Sequence, residues 1–378
     1  MSQRKIRVLQ INTDLKKGGV QAEIMYPARI LDQERVHFDV MLLSDVVGYY
    51  EDEFAQYGNI YRIPLQKRKT RVGRVCSVFL EYFTVKKEMT AFLQGHEPYD
   101  AVHCHIHRYN APCMAAAYKA GVPVRIAYCA VNKPDRKEFR DRLYFRFYLK
   151  LCSFVLNRCC THKFGVTQNA ADYIFGKGKG VPIKNPTVDF AKFDPEKYPG
   201  PGDDNIHLLM VGSYGNRKNQ KFAVDILREL KKSHAGATLT YVGYPRTPED
   251  PYLPQLKEKV RSLGLEDCVE FLPQDSDIPG VMARSSFLLI PSLQEGLPNV
   301  ALEAQKMGLP CFLSTDVSDD CDCGICSFLP LDAGAAHWAD AISEYVNRNG
   351  TGKHYVDMSA WDNRKVCEDY MDIWSGRK

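Results

Sequence analysis

The sequence lacks any run of about 20 apolar residues, so it offers no helix that would span a bilayer. Charge is nearly balanced: 50 lysines and arginines face 46 aspartates and glutamates, and the net +4 gives no reason to expect a nucleic-acid partner. The opening MSQRKIRVLQIN enters a strand directly, without a signal-peptide core or cleavage site, which predicts a cytoplasmic protein. No G-x-G-x-x-G follows the first strand, which argues against a nicotinamide dehydrogenase. Cys321, Cys323 and Cys326 have no fourth ligand nearby and do not form the two C-x-x-C pairs of a zinc site. His103, Cys104, His105 and His107 would alternate between the faces of a strand and cannot all converge on one ion. No metal is therefore expected. The 13 cysteines are odd in number, and Cys152, Cys159 and Cys160 lie in apolar runs, which predicts free buried thiols.

What is present is the composition of an ordinary globular protein, 45% hydrophobic and 25% charged, in 378 residues, enough for two domains. The chain is organised around Phe287–Cys311, FLLIPSLQEGLPNVALEAQKMGLPC. Phe287–Ile290 is too short and apolar for anything but a buried strand. Pro291 and Ser292 end it, a polar loop carries Glu295 and Gly296, and Pro298 suits the first turn of a helix. Val300, Ala301, Ala304 and Met307 recur at helical spacing, and Gly308 with Pro310 stops the helix. Strand, loop and helix in that order put Glu295 at the carboxyl edge of a parallel sheet, where ligands bind, with Glu303 inside the helix. The free N–H groups near Leu297, Asn299 and Val300 and the helix dipole favour a diphosphate. The two carboxylates can accept hydrogen bonds from sugar and ribose hydroxyls.

The pattern E-G-L-P-x-x-x-x-E resembles the signature of retaining GT-B glycosyltransferases of family 4, in the branch that builds capsule and exopolysaccharide chains. The likeness extends over nearly the whole chain. It implies an α/β protein of two Rossmann-like, doubly wound domains facing a cleft. The expected divisions are an acceptor-binding domain over residues 1–185, a nucleotide-sugar domain over 186–358, and a C-terminal helix over 359–378 returning to the first domain.

The chain in order fits that frame. Strands are predicted at Ile6–Ile11, His37–Leu43, Ile60–Ile63, Ala101–Ile106, Val122–Ala127 and Phe164–Val166. Helices are predicted at Gln21–Leu31, Tyr49–Tyr57, Val75–Leu93 and Asn110–Ala120. Between the first strand and helix, Gly18 and Gly19 make either a plain turn or a close approach to a ligand. In the resembled family a Gly-Gly loop here faces donor phosphate and acceptor. The run holding Lys67, Arg68, Lys69, Arg71 and Arg74 suits a solvated loop or anionic headgroups equally. Lys133–Cys160 interleaves basic and aromatic residues, as in an interfacial amphipathic helix or an internal helix with a basic outer face. The Gly/Pro-rich stretch over 185–204 is the expected linker. Beyond it, strands are predicted at Ile206–Val211, Ala237–Val242, Val269–Leu272, Phe287–Ile290 and Cys311–Ser314. Helices are predicted at Phe222–Lys232, Pro254–Leu263, Ile278–Ala283, Asp332–Asn347 and Trp361–Trp374.

The resemblance also assigns roles. The family commonly places an arginine just after V-G and a lysine a few residues later, both on the donor diphosphate. Lys218 with Asn219 matches the second element. Ser213 stands at the first, and the guanidinium of Arg217 could supply that charge. Leu297, Pro298, Asn299 and Val300 would complete the diphosphate cradle, Glu295 would hold the reacting sugar, and Glu303 the ribose. The loop Gln274–Asp277 is where the family stacks its base, expected to be uracil. Many relatives carry a histidine just after the strand at Val122–Ala127. This chain has none there, which makes His105, at the end of the preceding strand, either a substitute or a structural histidine. The implied activity is sugar transfer from a nucleotide sugar, without metal or other cofactor, to a glycan or lipid-linked glycan. A peripheral place on the inner face of the membrane goes with it. A non-catalytic nucleotide-sugar-binding partner in a polysaccharide assembly complex and a GT-B sugar-nucleotide epimerase are the alternatives.

Overall fold

The computed structural model describes residues 4–16, 18–65, 71–130, 143–182, 188–200, 202–245, 247 and 249–377, with the backbone alone at 71–78, 108 and 143–145. Lys67, Arg68, Lys69, the side chains of Arg71 and Arg74, residues 133–142 of the basic aromatic stretch and residues 185–187 of the expected linker lie outside the described residues. The chain divides into two compact units, residues 1–187 with 360–378 and residues 188–359.

The first unit is a parallel sheet of β1 (Ile6–Asn12), β2 (Val36–Leu42), β3 (Ile60–Arg62), β4 (Ala101–Cys104), β5 (Val124–Cys129), β6 (His162–Gly165) and β7 (Val181–Pro182). Its order is β3-β2-β1-β4-β5-β6-β7. β1 pairs with β2 from Ile6↔Val36 to Asn12↔Leu42, and on its other side with β4. Val8, Leu9, Phe38 and Val40 are fully buried, as strands covered on both faces require. The helices are α1 (Gly19–Ile30), α2 (Glu51–Phe54), α3 (Arg71–Gly95), α4 (Asn110–Lys119), α5 (Leu143–Cys159) and α6 (Gln168–Phe175).

The second unit repeats the plan with β8 (His207–Val211), β9 (Thr238–Gly243), β10 (Val269–Pro273), β11 (Phe287–Ile290), β12 (Cys311–Ser314) and β13 (Cys326–Leu329). Their order is β10-β9-β8-β11-β12-β13, again all parallel. Its helices are α7 (Gln220–Leu230), α8 (Tyr252–Ser262), α9 (Ile278–Arg284), α10 (Asn299–Lys306) and α11 (Gly334–Asn349). α7 buries Ala223, Val224, Ile226, Leu227 and Leu230 at helical spacing against the sheet. In each sheet the chain runs outward from a central strand in one direction and then in the other, so a switch point lies between β1 and β4 and between β8 and β11.

The last helix, α12 (Asn363–Trp374), belongs to the first unit. Val366, Cys367, Tyr370, Ile373 and Trp374 enter the same core as Phe38 and Val40. The Trp374 ring meets Phe38 edge-on at 5.4 Å and stacks on Tyr370 at 5.4 Å. Truncating so buried a tryptophan costs about 3–5 kcal/mol, so this helix is part of the first core and not an appendage.

Several boundaries differ from the sequence reading. The polar helix Tyr49–Tyr57 shortens to one turn, because only Glu51 and Phe54 are buried. The strand ending at Ile106 stops at Cys104, and that of Val122–Ala127 shifts to Val124–Cys129. Pro298 is not in the first turn of α10 but is its capping residue, in extended backbone at φ −78° and ψ 99°. Two edge strands, β7 and β13, escaped the sequence. β7 is two residues long, and β13 lies beside a cluster of cysteines that drew attention to metal chemistry instead.

Candidate functional site

The two loops at the second switch point meet. After β8, Gly212–Asn219 turns into α7; after β11, Pro291–Pro298 turns into α10. The Leu293 N–H donates to the Arg217 carbonyl at 2.8 Å, joining loop to loop. Lys218 Nζ lies 2.7 Å from Glu295 Oε1, with the two side chains 17% and 10% exposed. Ser292 Oγ donates to the same carboxylate oxygen at 2.9 Å, and Ser292 is itself held by Ser314 Oγ on its carbonyl. The sequence placed Lys218 and Glu295 in one site with separate tasks, and here the two are ion-paired. Ser292 was taken only as the end of a strand; its hydroxyl orients the glutamate.

Two glycines make the loop possible. Gly212 adopts φ +142°, and a Cβ there would come within 3.3 Å of Lys218 Cε, so a larger residue would push the lysine away. A Cβ at Gly243 would fall 2.2 Å from the Gly212 carbonyl oxygen. Gln220 reaches back to close the turn, donating to the Ser213 carbonyl at 3.0 Å. Asn219 takes the left-handed conformation, φ 55° and ψ 39°, at the start of α7, where a short polar side chain is tolerated. Arg217 is half-buried in the short turn over Asn216–Lys218.

α10 begins where those loops meet. Gly296, Leu297, Asn299 and Val300 are half-buried and Pro298 is buried. The first N–H groups of the helix have no carbonyl of their own turn to bond, so the end presents donors and positive dipole to an anion. Glu303 lies one turn inside. Burial pushes its carboxyl up to about 7, opposed by the charge of Lys192. Lys192 comes from the segment that opens the second unit, where the Phe190 ring also receives Lys306 Nζ at 4.7 Å. No sequence pattern singled out Lys192, because its electrostatic effect on Glu303 depends on how that segment folds relative to α10.

The first switch point is built differently. Gly18 caps α1 without a side-chain bond and Gly19 opens the helix, so its first turn is bare of acidic residues. Below it, His105 is buried, with Nε2 2.8 Å from Gln10 Oε1 and Nδ1 3.9 Å from Glu23 Oε2. Tyr128 donates to the other Glu23 oxygen at 3.3 Å, and the rings of His103 and His105 sit 4.2 Å apart. Burial lowers the His105 pKa to about 3, burial and the neighbouring His105 hold His103 well below the usual imidazole value, and burial raises Glu23 well above its ordinary value. This group is neutral and enclosed. His105, read from the sequence as either a substitute for the family histidine or a structural histidine, lies in this polar core with its side chain only 3% exposed. Gln10 and Glu23 went unnoticed; the available signal was a polar residue inside the apolar run IRVLQIN and an acid on the buried side of α1.

Every cysteine whose side chain is described is a free thiol. A hydrogen bond to Cys326 and burial push the Cys321 thiol up, and a hydrogen bond to Cys311 and burial push Cys326 up against the lowering effect of Cys321, which keeps both protonated and poor metal ligands. Their loop is instead tied to α10: Gln305 Nε2 donates to the Cys321 carbonyl at 2.8 Å and the Cys323 N–H to Gln305 Oε1 at 2.8 Å. Among the described residues no group of three His, Cys, Asp or Glu could hold a metal ion, and no helix is long and apolar enough to cross a membrane.

Comparison with known proteins gives this geometry a family. The family described as "Glycosyl transferases group 1" matches residues 205–348, the span that carries Lys218, Glu295 and Glu303. EpsF of Bacillus subtilis is 25% identical over 361 residues, 91% of this chain and 88% of EpsF. The Escherichia coli enzyme named UDP-Gal:alpha-D-GlcNAc-diphosphoundecaprenol alpha-1,3-galactosyltransferase is 23% identical over 334 residues, 84% of this chain and 81% of that one. Among solved structures, Anabaena HepE in complex with UDP superposes with a TM-score of 0.67 at 16% identity, covering 99% of this chain and 98% of HepE. Residues 205–348 are a group 1 glycosyl transferase domain, in a chain whose two units have the GT-B fold.

Proposed function

We propose that the chain is a retaining glycosyltransferase of family 4 that moves a hexose from a UDP-sugar to a lipid-linked glycan during assembly of a polysaccharide, at the inner face of a membrane. The observation that carries the reading is the Lys218–Glu295 pair at the second switch point, beside the start of α10. Donor binding would separate the pair. Lys218 would turn to the diphosphate, joined by Arg217 and the N–H groups around Leu297–Val300. Glu295, released from the lysine and still held by Ser292, would accept from the sugar hydroxyls. Glu303 would take the ribose hydroxyls. With two cations and a helix end facing the leaving diphosphate, the protein supplies the charge that stabilises departure, and we assign no metal to the step. Uracil as the base is supported by the UDP complex of HepE and the UDP-galactose donor of the E. coli relative. The lipid-linked acceptor is supported by the diphosphoundecaprenol named for that same relative.

A thermal-shift panel of UDP, GDP, ADP and CMP with their common sugar conjugates, without added metal, tests the donor site. A nucleotide at about 100 times its dissociation constant adds about 2.7 kcal/mol of stability. Stabilisation by UDP and by one UDP-sugar, lost in Lys218→Ala, is the expected result. Stabilisation by none of the nucleotides would overturn the donor site. Binding that survives while Glu295→Ala transfers sugar as fast as the native chain would overturn the catalytic assignment.

A further inference from the structure

The outer face of α5 mixes large apolar and cationic side chains. Phe147 is 70% exposed, Phe154 66% and Leu151 38%. Arg146, Lys150 and Arg158 are exposed as well. On a helix of 3.6 residues per turn these six positions fall within an arc of about 140°. The opposite side holds Tyr148, Cys152, Leu156 and Cys159, all buried. The helix contains no Asp or Glu. α3 lies alongside, its Phe79 and Tyr82 rings 5.6 and 6.5 Å from Tyr148. It adds exposed Leu80, Phe83 and Lys87. Its Glu81 is turned inward, accepting from the Tyr109 hydroxyl at 2.7 Å, while Glu88 is exposed.

A single exposed phenylalanine needs no explanation, but an apolar stripe at positions i, i+4 and i+7 with cations interleaved does. Two copies of this chain pairing symmetrically through it would set three cations of α5 against the same three, a repulsive arrangement. A surface that is apolar a few ångströms deep and negatively charged at its rim satisfies both halves of the face at once. We propose that the α5 face, with the exposed edge of α3, is a docking surface for an anionic lipid bilayer. The helix lies flat on it, with Phe147, Leu151 and Phe154 entering the acyl boundary and Arg146, Lys150 and Arg158 at the headgroups. The inference deepens the lipid-linked acceptor reading by naming the surface that would meet the membrane. Vesicle binding is measured without donor or acceptor, so the two can fail separately.

The test is sedimentation of the full chain with vesicles of phosphatidylcholine alone and of phosphatidylcholine with phosphatidylglycerol, at low and high salt. Binding to the anionic vesicles only, weakened by salt, is expected. The Arg146→Gln/Lys150→Gln/Arg158→Gln variant loses about fivefold in affinity for each charge removed. The Phe147→Ser/Leu151→Ser/Phe154→Ser variant loses binding at every salt. A Tyr355→Ser control, at an exposed aromatic in the second unit, binds as the native chain does. Unchanged circular dichroism spectra and thermal midpoints in all three variants, measured without nucleotide, show that they are folded. Equal binding to neutral vesicles, equal binding by the variants, or a native chain that self-associates through this face and becomes monomeric in the serine variant would overturn the proposal.

Discussion

The two switch points differ in where they keep their charge. In the second unit Lys218 and Glu295 stand partly open to solvent, paired at 2.7 Å. In the first unit the polar groups at the equivalent strand ends, Gln10, Glu23, His103 and His105, are sunk into the core and neutral. The same sheet topology thus makes an ionic edge in one unit and a dry polar edge in the other. The lesson is that topology offers a crevice, and the depth of the side chains decides whether it carries charge.

The largest test of that contrast removes the ionic edge. Lys218→Ala and Glu295→Ala should each lower kcat/KM by about 10²–10³-fold, roughly 3–4 kcal/mol of transition-state stabilisation. UDP release assayed across acceptor concentrations measures this. A loss confined to KM would mean that the pair only binds donor.

The next concerns the neutral edge. His105 is held at about 3 against an ordinary 6.5. Its folded value is depressed, so its contribution to stability is complete above pH 6.5 and is lost as pH falls toward 3. Over that span the native chain should lose on the order of 4 kcal/mol through this group. Urea midpoints for the native chain and His105→Asn between pH 7 and 4 should converge as pH falls. Parallel curves would show that the ring is not the neutral buried group the structure describes.

A smaller effect probes Glu303. Its carboxyl near 7 ionises as pH rises through that value, and only the carboxylate is a full acceptor for ribose hydroxyls. UDP affinity should therefore rise from pH 6 to 8 by up to about tenfold, and Glu303→Gln should flatten the profile. Isothermal titration at three pH values decides it. Smallest of all, Asn219→Ala at the left-handed cap of α7 should cost about 1 kcal/mol, with Asn219→Gly nearly neutral, read from thermal midpoints.

Much of this was legible in the chain. Phe287–Ile290 and Cys311–Ser314 fall where their apolar runs put them, because a buried parallel strand writes itself as an uninterrupted hydrophobic segment. The α12 pattern at Val366, Tyr370 and Ile373 likewise announced a buried helix face. Element ends were less legible. The shift of β5 by two residues and the shrinkage of the Tyr49–Tyr57 helix follow from neighbours that local propensity does not contain. In the candidate site, the sequence pointed to Lys218, Glu295 and Glu303 through spacing and resemblance. It was silent on the hydrogen bond of Ser292 to Glu295 and on the charge of Lys192 near Glu303, which exist only in the folded chain.

By itself the sequence determined the alternation of strand and helix, the two sheets it builds, and which loops carry basic and acidic groups, since these depend on short-range periodicity and on residue type. Tertiary structure alone decided that Lys218 and Glu295 share one hydrogen-bonding distance, that His105 is enclosed and uncharged, and that Phe147 and Phe154 face outward. Distance, desolvation and exposure are properties of residues brought together from far apart in the chain, and each sets a charge state or a contact that no local pattern encodes.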